Sequence, residues 1–270
     1  MIGATITDPE FLRLRRFFEG ASGIRLADTK KVLVCGRLSK RLRHHNLNCY
    51  RDYLDLIDTP QHSAERQIAI DLLTTNETHF FREPKHFEFL REDLVRRLAE
   101  GKAGQVRIWC AASSTGEEPY SLAITAAEVL GDRNWSILAS DLSTQVLRDA
   151  RAAIYNSQRA AEVPRPLAMK YLLEGFDEYD GFYRIDPALR KRVNFMQINL
   201  MESLPAFEPV DYIFLRNVLI YFDADAKRQI VESVVRRLRP GGLLFIGHSE
   251  TLGGITDVVQ AVRPTIYRIA

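Results

Sequence analysis

Residues 106–120 read VRIWCAASSTGEEPY, and they carry the strongest indication of the fold. Val106–Cys110 predict a strand, because the run is apolar, too short for a helix and rich in residues that suit a pleated surface. The small residues Ala111–Gly116 let the backbone turn tightly and a ligand come close. Pro119 suits the first turn of a helix, which Ser121–Leu130 continue. This order is typical of the first half of a nucleotide-binding βαβ fold.

The loop lacks the residues that hold a phosphate. A dinucleotide site uses Gly-x-Gly-x-x-Gly and a phosphate loop ends in Gly-Lys-Ser/Thr, whereas this loop has one glycine, no lysine, and then Glu117 and Glu118. Two carboxylates would repel a diphosphate and attract a cofactor that carries an ammonium and a sulfonium, which predicts S-adenosylmethionine. Alternatively, both glutamates only favour the positive end of the following helix dipole.

Composition sets the broad class. The 270 residues suffice for two domains, and a net charge of +2 gives no overall nucleic-acid signature. Cys35, Cys49 and Cys110 show no metal or redox spacing and indicate a reducing compartment. The first residues lack a signal-peptide core, and no run of 18 apolar residues exists, so we expect a cytoplasmic protein.

Residues 1–75 predict an all-α N-terminal domain. Asp8 is the expected cap of a first helix, with Pro9 in its first turn. A basic segment follows in residues 30–50. Its cations are Lys30, Lys31, Arg37, Lys40, Arg41 and Arg43. The segment forms either a solvated face or a surface that steers an acidic partner, nucleic acid or protein, towards the molecule.

Residues 76–86 join this domain to a second one over 76–270. Here polar residues interleave with Phe80 and Phe81, and Pro84 stops any helix that continues from before. Arg82 is either an ordinary surface residue or, beside the predicted pocket, a clamp for an anion.

Beyond the loop, strands and helices alternate. Strands are predicted at residues 137–139, 193–198, 212–215 and 243–246, a helix at 224–238, a small β-hairpin insertion at about 172–192, and a closing antiparallel pair at 258–262 and 265–269. Asp141 ends the second strand, where nucleotide folds hold ribose hydroxyls, although Asp141 or Ser143 could instead cap the next helix. Asn199 and Asn217 also follow strand ends. Five parallel strands plus a terminal hairpin match the Rossmann-like fold of class I S-adenosylmethionine-dependent methyltransferases.

Four motifs together resemble the bacterial chemotaxis receptor methyltransferases, the CheR family. They are NETHFFR at 76–82, AASSTGEEPY at 111–120, RNVLIYF at 216–222 and GHSE at 247–250. The resemblance covers nearly the whole chain, including the basic helical domain. It implies methyl transfer from S-adenosylmethionine, with S-adenosylhomocysteine as product, to glutamates of chemoreceptor cytoplasmic helices.

The resemblance also implies a set of cofactor residues. They are Asn76, Thr78, Arg82, Glu117, Asp141, Asn199, Leu200, Arg216 and Asn217. It does not decide between Glu117 and Glu118, and we favour Glu117 because it lies nearer the loop. The family's hairpin subdomain can dock a receptor C-terminal pentapeptide. Here residues 176–180 are acidic rather than glycine-rich, which leaves that docking open. We expect a monomer, with a regulatory protein as a further possible partner of the N-terminal domain.

The implied reaction needs no strong general base from the protein. A glutamate carboxylate is already ionised at neutral pH, because its ordinary pKa is about 4.3. We therefore expect Arg82 and Tyr221 to position the substrate carboxylate. Alternatively, Tyr221 is only a packed aromatic residue. His79 and His248 are interpreted as structural or orienting.

Two other functions are compatible with parts of the sequence. A nucleic-acid methyltransferase would use residues 30–43 to bind phosphates, but no aromatic stacking platform lies beside them. A non-catalytic module would bind the cofactor as a signal and recruit a partner.

Overall fold

A computed structural model describes residues 5–102 and 104–269. The helices are α1 Asp8–Ser22, α2 Lys31–His44, α3 Tyr50–Ile57, α4 Ser63–Leu73, α5 Lys85–Ala99, α6 Glu117–Leu130, α7 Thr144–Ala152, α8 Ser157–Ala160, α9 Arg165–Tyr171, α10 Pro187–Arg190 and α11 Ala224–Val235. The strands are β1 Val106–Ala111, β2 Trp135–Asp141, β3 Ile154–Asn156, β4 Leu172–Glu174, β5 Phe182–Ile185, β6 Val193–Gln197, β7 Val210–Leu215, β8 Leu238–Ile246, β9 Val259–Arg263 and β10 Ile266–Ile269. In this part of the chain, the helices are all too short or too polar to cross a membrane.

Helices α1 to α4 pack around one apolar cluster that includes Leu14, Phe18 and Leu38. The first helix begins differently from the prediction. Thr7 is its N-cap, and Thr7 and Glu10 form a reciprocal capping box, so Asp8 is the first helical residue rather than the cap.

The main sheet has the order β6-β2-β1-β7-β8-β10-β9. The pairs from β6 to β8 are parallel, and β10 pairs antiparallel with both β8 and β9. This confirms the predicted five parallel strands with a closing antiparallel pair. Because β1 and β7 lie in the middle and are buried almost throughout, their carboxyl ends meet at the centre of one sheet edge.

A second sheet of order β3-β5-β4 forms the predicted insertion, with one difference. The antiparallel pair β4 and β5 was expected, whereas β3 was not. Strand β3 has only three residues, too few for an alternating pattern to be recognised in the sequence. Its extended conformation depends on pairing with β5, which lies beyond an intervening helical segment.

Helix α11 ends at Val235, three residues earlier than predicted, and β8 starts at Leu238. Pro240 and the glycines after it therefore lie inside a strand rather than stopping a helix. The register against β7 shifts here, Val210 facing Leu238 and Tyr212 facing Leu243. Such a bulge is where a strand tolerates proline and glycine.

The helical domain contacts the carboxyl side of the main sheet. The Asp71 carboxylate, near the end of α4, accepts hydrogen bonds from the backbone N–H groups of Thr144 and Gln145 at 3.0 and 3.1 Å and from the Thr144 hydroxyl at 2.8 Å. A carboxylate at a helix N-terminus satisfies otherwise unpaired N–H groups. The contact fixes the helical domain beside the strand ends where the site residues lie.

Candidate active site

A cavity of about 290 Å³ lies where the strand ends meet the helical domain. It brings together most of the residues predicted from sequence. Those that line it are Asn76, Thr78, Arg82, Asp141, Asn199, Leu200, Arg216, Asn217 and Tyr221. These residues come from the ends of three strands, β2, β6 and β7, and from the segment that joins the helical part to the α/β part.

The loop after β1 is held by Asp141. One carboxylate oxygen of Asp141 accepts the backbone N–H of Ser114 at 2.9 Å, and the other accepts that of Ser143 at 3.0 Å. Ala112 and Ser114 have positive φ angles of 79° and 48°, so the small-residue loop adopts the tight turn that its composition predicts. Burial raises the pKa of Asp141, and the two N–H donors oppose that rise.

Glu117 does not line the cavity, which corrects our preference for it over Glu118. Its side chain is fully buried, forms an ion pair with Arg159 and accepts a hydrogen bond from the Thr115 hydroxyl at 2.7 Å. Glu118 lines the cavity instead. Consecutive residues of a helix point about 100° apart, so proximity to the loop in sequence does not decide which glutamate faces the ligand.

Arg216 connects Glu118 to Glu83 inside the protein. Its guanidinium is fully buried and donates to Glu118 at 2.5 Å, to Glu83 at 2.9 Å and to the Arg82 carbonyl at 2.5 Å. Burial raises the pKa of Glu83, but the charge and hydrogen bonds of Arg216 outweigh it and lower that pKa to about 2. Sequence analysis missed Glu83, because its role depends on an arginine 133 residues later in the chain.

The turn after β7 is fixed by Glu250, which belongs to the GHSE motif. Its carboxylate accepts the backbone N–H groups of Asn217 at 3.0 Å and Gly247 at 2.6 Å. Asn217 has a φ of 56°, and a Cβ at Gly247 would lie 2.4 Å from the side-chain Nδ2 and 2.9 Å from the backbone nitrogen of Asn217. Only glycine fits at 247, which gives the motif a physical reason.

The segment between α1 and α2 forms a wall of the cavity that sequence analysis did not predict. Arg25 and Lys30 both line it, and the Arg25 N–H donates to the Tyr221 carbonyl at 3.1 Å. Nearby, the Asn199 amide donates to the Ala21 carbonyl at 2.9 Å. A signal for this wall was present in Gly23, which has a φ of 72° and where a Cβ would lie 2.4 Å from Cγ of Met201.

The basic segment of α2 is divided between structural and exposed side chains. Arg37 donates to the carbonyls of Leu73 and Thr74 at 3.1 and 2.8 Å, and so anchors the end of α4. Arg41 forms an ion pair with Glu65, which is nearly buried. The guanidinium groups of these two arginines are occupied within the helical part, so the prediction of a partner surface now depends mainly on the other cations of the segment.

The remaining cations of this segment reach outward to different degrees. Lys31 forms an ion pair with Asp8 at 2.5 Å. Lys40 and Arg43 are exposed, and neither makes an ion pair within residues 5–102 and 104–269. Lys30, as noted, lines the cavity.

Glu83, His86 and His248 bring a carboxylate and two imidazoles within 4.8 Å of one another. Arg216 already occupies the Glu83 carboxylate at 2.9 Å, and its fixed positive charge disfavours a second cation there. Burial and the Arg216 charge lower the pKa of His86 to about 4, so His86 is neutral near pH 7. We interpret the group as the support of Arg216 rather than a metal centre.

Comparison with known proteins identifies the family. The family model described as "CheR methyltransferase, SAM binding domain" matches residues 76–268, and "CheR methyltransferase, all-alpha domain" matches residues 9–74. The chain belongs to the CheR methyltransferase family. The fold expected from the sequence, a class I methyltransferase sheet preceded by an all-α part, is thereby confirmed, as is S-adenosylmethionine as the cofactor.

Curated relatives agree along nearly their full length. The chain is 42% identical over 264 residues to the "Chemotaxis protein methyltransferase 2" of Pseudomonas aeruginosa, covering 97% of this chain and 93% of the relative. It is 38% identical over 270 residues to the "Chemotaxis protein methyltransferase" of Escherichia coli, covering 98% and 92%. This CheR family member is therefore a methyltransferase similar to chemotaxis enzymes.

The cavity of this CheR protein fits a cationic cofactor. Three carboxylates line it, Glu77, Glu118 and Asp141, and the loop after β1 has no lysine and no glycine-rich cradle. Nε of Arg216 is buried and has no hydrogen-bond acceptor within residues 5–102 and 104–269. An unpaired buried donor is costly, so it is suited to an acceptor on a ligand such as the carboxylate of a methionine group.

Proposed function

We propose that this protein transfers the methyl group of S-adenosylmethionine to glutamate side chains of chemoreceptor cytoplasmic helices, and so serves sensory adaptation. The supporting observation is the pairing of opposite charges in one cavity. Glu118 and Asp141 suit a cationic donor, whereas Arg82 and the Tyr221 hydroxyl suit an anionic acceptor. The names of the curated relatives support the chemotaxis role.

In this proposal Glu118 binds the ammonium of the cofactor and Asp141 its ribose hydroxyls. The other cofactor-binding residues are Asn76, Thr78, Arg82, Asn199, Leu200, Arg216 and Asn217. Arg216 holds Glu118 in place through its 2.5 Å hydrogen bond, and Glu83 balances the charge of Arg216. Arg216 together with Glu83 and Glu118 carries a net charge of about −1, which attracts a cationic group of the ligand.

Arg82 and Tyr221 orient the substrate carboxylate. The cofactor supplies a methyl group on a positively charged sulfur, and the carboxylate attacks as an anion, so no general base is needed. Orientation of two bound reactants contributes roughly 7–11 kcal/mol in favourable cases. The segment around Arg25 forms one wall of the cavity, and exclusion of water by the bound reactants would favour a step in which opposite charges neutralise.

The exposed cations Lys40 and Arg43, with Lys30 at the cavity, form the receptor-facing surface in this proposal. A surface of one charge sign steers an oppositely charged partner. We further propose that the enzyme acts as a cytoplasmic monomer, that residues 1–75 and 76–270 are its two domains, and that the helical domain is also where a regulatory protein would bind.

The test is methyl transfer from S-adenosylmethionine labelled in its methyl group to membranes that contain chemoreceptors. We expect label in the receptor, and we expect mild base to release it as methanol, because a carboxyl methyl ester hydrolyses readily. A receptor whose methyl-accepting glutamates are replaced by alanine is the matched control. Base-stable label, or label that persists in the alanine receptor, would contradict glutamate O-methylation.

The same assay separates the two rival functions. A nucleic-acid methyltransferase would label RNA or DNA, and its binding would weaken steeply with salt. A cofactor-sensing module would bind S-adenosylmethionine and label nothing. Arg82 and Tyr221 in the cavity favour catalysis over sensing.

A further inference from the structure

A second cavity, of about 260 Å³, lies between α6, α7, α10 and β6. Tyr120 and Phe195 contribute aromatic rings to its wall, and Arg151, Arg190 and Lys191 contribute cations. It shares no lining residue with the cavity of the methyl-transfer site. Nothing proposed above gives these residues a function.

The three cations face the cavity without an anionic partner among the described residues. None of them forms an ion pair with a carboxylate within residues 5–102 and 104–269. The carboxylates nearest to them in sequence have other partners. Asp149 accepts the side-chain amide N–H of Gln145 at 3.0 Å, and Asp186 accepts the backbone N–H of Ala188 at 2.7 Å as the cap of α10. Cations that face one cavity without a counter-ion repel each other, and an anion between them relieves that repulsion.

One of the cations is held in place by the wall itself. The guanidinium of Arg151 donates one hydrogen bond to the Phe195 carbonyl at 3.0 Å, and its other N–H groups remain available. Arginine presents a planar fork that matches phosphate or carboxylate oxygens. Arg190 is half-buried, which limits the freedom that it would lose on binding.

The size of the cavity favours a small ligand. Small-molecule sites are typically about 300–1,000 Å³, and this cavity, at about 260 Å³, is just below that range, so it is suited to the phosphate group and part of the ring-bearing remainder of a small ligand. The half-buried ring of Phe195 and the buried Tyr120 offer an apolar wall beside the cations. We propose that this cavity binds a small phosphate-bearing molecule with an aromatic ring, of the mononucleotide class.

The test is isothermal titration calorimetry of the full chain, saturated with S-adenosylhomocysteine so that the methyl-transfer cavity is filled. The probes are guanosine 5′-monophosphate and inorganic phosphate. The charge-reversal variant R190E/K191E is compared with R16E/R236E, which reverses two exposed cations elsewhere. We expect saturable binding of the nucleotide, at least about tenfold weaker in R190E/K191E and unchanged in R16E/R236E.

The two probes identify what the cavity recognises. Tighter binding of the nucleotide than of phosphate supports a contribution of the ring, whereas saturable binding of phosphate alone overturns the ring-bearing ligand. Absence of saturable binding of both probes, or equal loss in both double variants, overturns the site. If R190E/K191E fails to bind S-adenosylhomocysteine normally, the neutral variant R190Q/K191Q replaces it, with the same required loss.

Discussion

The cofactor cavity and the basic helix α2 were both predicted as groups of charged and polar residues. The residues predicted for the cavity lie together in the structure, whereas those predicted for α2 point in different directions. In the cavity, every predicted residue except Glu117 lines one space. Along α2, Arg37 and Arg41 turn into the domain, whereas Lys40 and Arg43 stay exposed. The difference follows from how each group is placed.

Residues at the carboxyl ends of neighbouring parallel strands must meet, because the sheet topology brings those ends together. A cation on a helix has no such constraint. Arg41 forms an ion pair with Glu65 inside the domain. Burial raises the pKa of Glu65, but Arg41 and two further hydrogen bonds outweigh this effect and lower the pKa to about 2. Charge patterning therefore predicts a binding surface less reliably than strand ends predict a binding site.

The largest effect is expected in the cavity, from Asp141→Ala. The substitution removes the proposed ribose contact and the acceptor of the Ser114 N–H. Because hydrogen bonds to charged groups contribute about 1.5–3 kcal/mol, we expect affinity for S-adenosylhomocysteine to fall about 100-fold in calorimetry. Ser143→Ala, which removes the helix-cap hydroxyl, is the control. Unchanged affinity in the Asp141 variant would remove Asp141 from the cofactor site.

Tyr221→Phe separates substrate positioning from cofactor binding. Losing one hydroxyl hydrogen bond to the substrate carboxylate should lower kcat about 10-fold and leave the affinity for S-adenosylhomocysteine unchanged. Tyr267→Phe, in β10, controls for loss of a tyrosine hydroxyl elsewhere. A normal kcat would show that Tyr221 only packs.

The exposed part of α2 is tested by K40E/R43E. We expect KM for a receptor cytoplasmic domain to rise about 3–10-fold at low salt and the difference to shrink at high salt, because exposed charges are screened. The pair R16E/R236E controls for the change in net charge. Arg41 is left intact, because its loss would leave Glu65 without its partner inside the domain. Equal KM values for K40E/R43E and the unmodified protein would show that this face is only solvated and does not contact the receptor.

The remaining prediction concerns the pH dependence of stability rather than binding or activity. Because burial and Arg216 lower the pKa of His86 to about 4, the folded state excludes a proton that the unfolded chain binds below about 6.5. The free energy of unfolding should therefore decrease as pH falls from 6.5 to 4.5, by about 2 kcal/mol more than in His86→Gln. Denaturation curves at several pH values measure this, with His62→Gln, an exposed site, as control. Parallel curves for all three proteins would contradict it.

The sequence predicted the fold through features that are local and strongly patterned. The loop after β1, the strand ends at Asp141 and Asn217, and the closing hairpin are each defined by short-range chemistry. The sequence-based predictions failed where the conformation or orientation of a residue depends on a partner far along the chain. Strand β3 depends on β5, the interior side of α2 depends on Glu65 and on the end of α4, and the choice between two adjacent glutamates depends on Arg159 and Arg216.

The central claim is that Glu118 is the carboxylate that meets the positive end of the cofactor. Calorimetry of S-adenosylhomocysteine binding to Glu118→Gln and Glu117→Gln tests it directly, since the two variants make the same chemical change at neighbouring positions. We predict at least a tenfold loss of affinity for Glu118→Gln and a much smaller change for Glu117→Gln in protein that remains folded. The reverse ranking would contradict the account.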